Sequence, residues 1–218
     1  MDWALMAKYT PVLLDGLALT MIISVAGMSL ALLMGAGLSL LRRSGNRFAS
    51  GAARAYTEVI LGIPILVLMY LLFFVLPEFD ILISPLAAGL LTLMLYYAPY
   101  IAEVIRGALN AIPRGQIEAA QTIGMSRFQA MRRIVLPQAV GLMLPPLTGL
   151  SIGLIKDSAI LSVISVHELA FQAKQVVSRT YAPLEVYLLV AVGYWVTTFV
   201  LESAMRKLEH RMTRHRTA

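Results

Sequence analysis

Lys156, Asp157 and Ser158 stand side by side in a long apolar stretch, and Glu58 lies shortly before a Gly62-x-Pro64 pair. Residues of these types can pass or hold a small polar solute. A carboxylate and a hydroxyl accept from an ammonium or guanidinium, and helix-breaking Gly and Pro free backbone groups to help. Adjacent residues point to different sides of a helix, so Lys156 and Asp157 are expected to meet separate partners. Asp157 and Ser158 are then expected to line a path; a structural pair closing a broken helix is the other reading. The remaining reactive types exclude chemistry. There is no cysteine, which rules out disulfides and thiolate metal sites. His167-Glu168 lacks the H-E-x-x-H spacing of a zinc helix and is expected to cap a helix or lie on the surface. The four lysines follow Ala7, Ile155, Ala173 and Arg206, so no Gly-Lys pair forms a P-loop. Neither a catalytic residue nor a metal site is expected.

The elements that must position these groups are membrane helices. Of 218 residues 59% are hydrophobic and 14% charged, against ~45–50% and ~25% in soluble domains. Five segments reach the ~20 apolar residues a spanning helix needs: about 13–41, 55–76, 85–105, 139–166 and 183–205. A β-barrel would instead show short alternating segments. The N-terminus, with Asp2 and a first apolar run far longer than a signal h-region, is expected to stay as a membrane helix. A charge at mid-bilayer costs about 2.5–3.5 kcal/mol on insertion scales. Asp15, Glu103, Glu185 and Glu202 lie near span ends and read as interfacial anchors, and Glu58 is close enough to an end to snorkel. Gly27, Gly35 and Gly37 are expected at close helix contacts. Trp3, Tyr181, Tyr187, Tyr194 and Trp195 fit interfacial belts or helix packing.

Basic residues alternate between the connections. One side carries Arg42, Arg43, Arg47 and Arg54, then Arg106, Arg114, Arg127, Arg132 and Arg133, then the tail Arg206, Lys207, Arg211, Arg214 and Arg216. The other carries Lys8, none in 77–84, and then Lys156, Lys174 and Arg179. The rich side is cytoplasmic by the positive-inside rule, giving an outside N-terminus and a cytoplasmic C-terminus. The tail, with His210 and His215, is expected to anchor at the anionic inner leaflet rather than to bind nucleic acid. One all-α transmembrane domain, 1–218, is expected.

The connection 106–138 is patterned. Pro113-Arg114-Gly115 opens a helical segment from Gln116 to Ile123, which Gly124 stops. Ser126 and Gln129 form a capping box that restarts a helix. That helix is expected to place Phe128, Met131 and Val135 on one face and to be limited by Pro137. Local physics leaves open whether this bent pair lies on lipid or docks on a partner protein.

At fixed spacing, Glu118-Ala119-Ala120, Gly124, Ile134 and Leu136-Pro137 resemble the EAA loop of ABC importer permeases. Pro113-Arg114-Gly115-Gln116 and Leu136-Pro137-Gln138-Ala139 are similar to the branch importing polar amino acids. So are Tyr56-x-Glu58, Gly62-x-Pro64, Pro145-Pro146-Leu147-Thr148 and Leu154-x-Lys156-Asp157. The resemblance implies a multi-pass subunit of the bacterial inner membrane, paired with a second permease subunit of the same or a related chain. It also implies a cytoplasmic ATPase dimer, which binds ATP and Mg in place of this chain, and a periplasmic solute-binding protein. The loop would then couple to the ATPase through Glu118, Ala119, Ala120, Gly124, Met125, Phe128, Ile134, Leu136 and Pro137. Gly62, Pro64, Asp157, Ser158 and Glu58 would lie along the substrate path. Leu61, Ile63, Gly149 and Ser158-Ala159 depart from the usual pattern and imply a less polar path. A stand-alone secondary transporter is the alternative, although no internal repeat is evident. An intramembrane hydrolase would need a nucleophile-base pair in the bilayer, and all three histidines lie outside the apolar runs.

Overall fold

A computed structural model describes residues 3–213, and among them every regular element is helical. Nine α-helices follow in order: α1 Trp3–Arg42, α2 Arg47–Leu61, α3 Ile65–Tyr70, α4 Pro85–Asn110, α5 Arg114–Thr122, α6 Arg127–Ala130, α7 Leu136–Asp157, α8 Leu169–Thr180 and α9 Pro183–Thr213. Four helical stretches are long and apolar enough to cross a membrane: α1, α4, the continuous stretch Arg127–Ile164, and α9. The bent pair of α2 and the helix starting at Ile65 raises this to as many as five. The basic tail beyond Thr213, with Arg214, His215 and Arg216, lies outside the described residues.

Several boundaries depart from the apolar runs. The first helix starts at Trp3 rather than near residue 13 and runs through Pro11. At 1.5 Å per residue its length is about 60 Å, roughly twice the bilayer core. Its first turns are held by tertiary packing, because Leu5, Tyr9 and Leu13 join Leu169, Val176 and Val186 in one cluster. The second stretch breaks at Gly62 to Pro64, where the two helices meet at 108°. Pro64 sits in an extended conformation (φ −60°, ψ 138°) as the residue that starts α3. The outer segment 156–182 is not a plain loop: Ser158–Ile164 is a 3-10 helix, Ser165 is left-handed (φ 64°), and α8 follows.

Pro137 does not end the helix before it. A π turn at Met131–Val135 carries α6 into α7, with the Leu136 N–H reaching back to Met131 O. The wider turn makes room for the proline ring, which would otherwise crowd the carbonyl four residues earlier. The same device recurs at Leu71–Val75, ahead of Leu76-Pro77. The extra residue also rotates the helix face. Met131 and Val135 line one groove, while Phe128 lies exposed outside it, so Phe128 does not share their face as the 3.6-residue period predicts.

The core lies where α4 runs along α1 and meets α7. Ile23, Ala31, Leu93, Tyr97, Ile101, Leu154 and Leu161 pack there. A Cβ on Gly35 would stand 2.8 Å from Ala98 O and from Ile101, and one on Gly27 would stand 3.2 Å from Leu93. These two glycines bring α1 and α4 together, while Gly37 meets nothing within 4 Å and has no such role. Gly89 is tighter still, with Leu161 Cδ2 2.4 Å from where its Cβ would be. Pro99 in α4 lacks the N–H that would occupy Leu95 O, and the Tyr56 hydroxyl of α2 donates to that oxygen at 2.7 Å.

Candidate functional site

The connection after α4 folds into a bent helical hairpin. α5 ends at Thr122 with Ile123 as its cap, Gly124 turns the chain at φ +84°, and Ser126 restarts it. The capping box is complete: Gln129 N–H donates to Ser126 Oγ at 3.2 Å, and Ser126 N–H donates to Gln129 Oε1 at 2.9 Å. A Gln138 to Gln116 side-chain hydrogen bond ties α7 back to α5. The apex is apolar and open, with Ile123 78% and Phe128 73% exposed. Glu118 and Ala119 are exposed, Ala120 and Ala130 are buried, and Met125 and Ile134 are half-buried. Leu136 and Pro137 are exposed where the hairpin joins α7. Between the arms lies a groove of about 590 Å³ lined by Arg114, Glu118, Gln121, Arg127, Met131 and neighbouring apolar residues. Ile123 was not singled out in the sequence, although it flanks the bend; an apolar residue next to a C′ glycine is the signal that points to it.

Asp157 closes α7 facing α4. It accepts from the Tyr97 hydroxyl at 2.8 Å. Tyr97 packs against Tyr96 and Tyr100 with centroids 5.5 and 6.3 Å away, and Tyr100 donates to the Tyr96 hydroxyl at 3.3 Å. Tyr96-Tyr97 and Tyr100 share one side of α4 at helical spacing. The four groups form a polar, aromatic-walled cluster otherwise surrounded by apolar helix. Lys156 turns away and is exposed beside Tyr194, Trp195 and Thr198 of α9. The neighbouring charges thus have separate surroundings. Ser158 does not accompany Asp157; its side chain is fully buried and donates to Ile155 O at 2.8 Å. Glu58, Gly62 and Pro64 are exposed around the α2–α3 break, and no described contact joins them to Asp157.

Two polar centres go beyond what the sequence suggested. Glu168 caps α8, accepting from Phe171 N–H at 2.8 Å and Ala170 N–H at 3.0 Å, but it is buried rather than on the surface. The Tyr194 hydroxyl of α9 donates to it at 3.0 Å, and Thr20 of α1 lies 3.5 Å away. Thr20 also accepts the Leu169 N–H at 3.1 Å, so three helices meet at this carboxylate. Burial pushes its carboxyl up, and the backbone and hydroxyl donors oppose that rise. His167 stays exposed and stacks on Phe171 with centroids 4.4 Å apart. Glu103, expected as an interfacial anchor, bridges Arg42 of α1 and Arg106 of its own helix, the latter at 2.7 Å.

A helical membrane domain with a broken second span and a bent hairpin between its third and fourth spans is the architecture of importer permeases. The chain belongs to the family of binding-protein-dependent transport system inner membrane components, which matches residues 27–214. It is 37% identical over 213 residues to the glutamine transport system permease protein GlnP of Escherichia coli (strain K12), covering 97% of both chains. It is 33% identical over 216 residues to the probable amino-acid permease protein YxeN of Bacillus subtilis (strain 168), covering 98% of this chain and 96% of that one. A solved amino acid ABC transporter with histidines superposes with a TM-score of 0.91 at 35% identity, over 97% of this chain and 99% of that chain. The inward-facing MetNI methionine ABC transporter, at 22% identity, shares the fold with a TM-score of 0.71 over 98% of this chain and 100% of that chain.

Proposed function

We propose that this chain forms half of the membrane pathway of an ATP-driven importer for a polar amino acid or close derivative. A second permease subunit completes the pathway, a cytoplasmic ATPase dimer binds ATP and Mg, and a periplasmic protein delivers the solute. The observation that carries the proposal is the hairpin. A rigid, capped bend that exposes Ile123 and Phe128 has the form of a knob that seats in a groove of another protein. Its continuity with α7 through the π turn gives it a lever on the spans, so ATP-driven closure of the motor would tilt α7 and switch access to the pathway. This orientation puts the hairpin and C-terminus in the cytoplasm, in keeping with the arginine distribution.

Asp157, held by Tyr97 beside Tyr96 and Tyr100, is the group placed to receive a solute cation. Ammonium and guanidinium groups bind a carboxylate and stack on aromatic faces. The amino-acid class is supported by the relatives named as glutamine and amino-acid permeases. The test is ATP turnover by the reconstituted complex, screened over basic, acidic and neutral amino acids with their binding protein. One class should stimulate turnover, and Asp157→Asn should reduce that stimulation at least about tenfold, the loss of one charge-assisted contact. If no amino acid stimulates a complex that hydrolyses ATP, the substrate class is wrong. Full stimulation of the Asn variant removes Asp157 from the path.

A further inference from the structure

Where α1 ends beside α4, Arg42, Arg43, Arg54 and Arg106 line a pocket of about 270 Å³ floored by Ser39 and Ala102. Three helical elements contribute the arginines: the C-terminal end of α1 with the residue after it, α2, and α4. Glu103 bonds Arg42 and Arg106. The guanidiniums of Arg43 and Arg54 make no hydrogen bond or ion pair among the described residues. Four cations share this pocket while one carboxylate pairs with only two of them, so they repel one another unless a further anion joins them. Guanidinium forks match the oxygens of a phosphate two at a time, better than they match a monatomic anion. Close by in the chain, Leu40 and Leu41 precede Arg42 in the last turn of α1 and Phe48 follows Arg47 at the start of α2, and all three are exposed, Phe48 by 91%.

From this layout we infer that the pocket binds a phosphoester anion, gripped by Arg43 and Arg54, while Arg42 and Arg106 are preset by Glu103. The shared chemistry admits two sources, an anionic phospholipid headgroup and free phosphate. The pocket's place at the ends of the spanning helices α1 and α4 favours the lipid, whose headgroup lies at that level of the bilayer. The site is separate from the hairpin and from Asp157, so it holds whatever solute is carried.

The test follows thermal unfolding of the full-length chain in neutral detergent. Short-chain phosphatidylglycerol, matched phosphatidylcholine and sodium phosphate are titrated in turn. Phosphatidylglycerol should raise the midpoint saturably and well above phosphatidylcholine, and added salt should weaken the effect. Arg43→Gln/Arg54→Gln should lower the apparent affinity by about tenfold, as expected for losing charge-assisted bonds. Saturation by sodium phosphate at comparable concentration would assign the site to free phosphate and uphold its chemistry. Two outcomes overturn the proposal: no response to phosphate with equal responses to both lipids, or an undiminished response in a Gln variant that keeps the wild-type helical circular dichroism. Should that variant not fold, the wild type decides: a preference for phosphatidylglycerol that is unchanged at 1 M salt rules the pocket out.

Discussion

A carboxylate removed from water survives only where donors replace its lost hydration. Glu168 receives the N–H groups of Ala170 and Phe171 and the hydroxyl of Tyr194, and so pins α8 and α9 together beside Thr20 of α1. Truncation by Glu168→Ala strands these donors and should cost about 3 kcal/mol, since each unsatisfied buried group costs ~1–3 kcal/mol. Glu168→Gln keeps an acceptor at Oε1 for the Phe171 N–H but turns its NH2 on the Ala170 N–H, so it should cost about 1–2 kcal/mol, less than the alanine variant. Burial places the native carboxyl above its ordinary value of 4.5, so the folded state holds this proton more tightly than the unfolded chain. That contribution is full below 4.5 and is lost as pH rises through the native value. Unfolding midpoints in detergent should therefore show wild type losing ground to the Gln variant as pH climbs above 4.5. A pH-independent gap would mean that Glu168 is as easily ionised as an exposed carboxyl.

At the level of elements, the hairpin depends on one residue with a left-handed backbone. Gly124 at φ +84° has open space where a Cβ would go, so the cost of substitution there is conformational rather than steric against neighbours. Valine should cost about 1–2 kcal/mol locally, whereas asparagine, which tolerates this region, should cost much less. Because the apex is exposed, Gly124→Val should leave global unfolding of the chain nearly unchanged. It should abolish solute-stimulated ATP turnover in the complex, and Gly124→Asn should restore most of it. Full stimulation by the Val variant would mean that the bend does not transmit force. The π turns before Leu76-Pro77 and Leu136-Pro137 make a related point about continuity. A proline that would end a helix becomes part of a longer one when the preceding turn widens by a residue.

For the molecule as a whole, the exposed apolar surface is the main fact. Ile22, Leu33, Leu82 and Leu184 are all at least 65% exposed, a pattern that fits lipid rather than water. Orientation is accessible to experiment because the chain has no cysteine. Single cysteines at Gly115, in α5, and at Tyr181, between α8 and α9, report opposite sides. In intact spheroplasts a membrane-impermeant maleimide should label the position 181 variant at once. The position 115 variant should react only after permeabilisation. The reverse pattern would invert the topology and place the hairpin out of reach of any cytoplasmic motor.

Local signals carried much of this protein. The Gly62-x-Pro64 break, the Ser126 capping box and the Gly124 turn each depend on residues within one or two helical turns of one another. Backbone preference and hydropathy act over that range, so the sequence alone determines them. Tertiary structure decided the rest. Tyr97 and Asp157 are 60 residues apart, Tyr56 and Leu95 are 39 apart, and Gln116 and Gln138 are 22 apart. Glu168 reads as a surface cap until α1 and α9 close over it, and Arg43 and Arg54 read as plain loop charges until α4 brings Arg106 beside them. Side-chain bonds of this reach have no periodicity in the chain. They exist only once the packing of α1, α4 and α7 has set which faces meet.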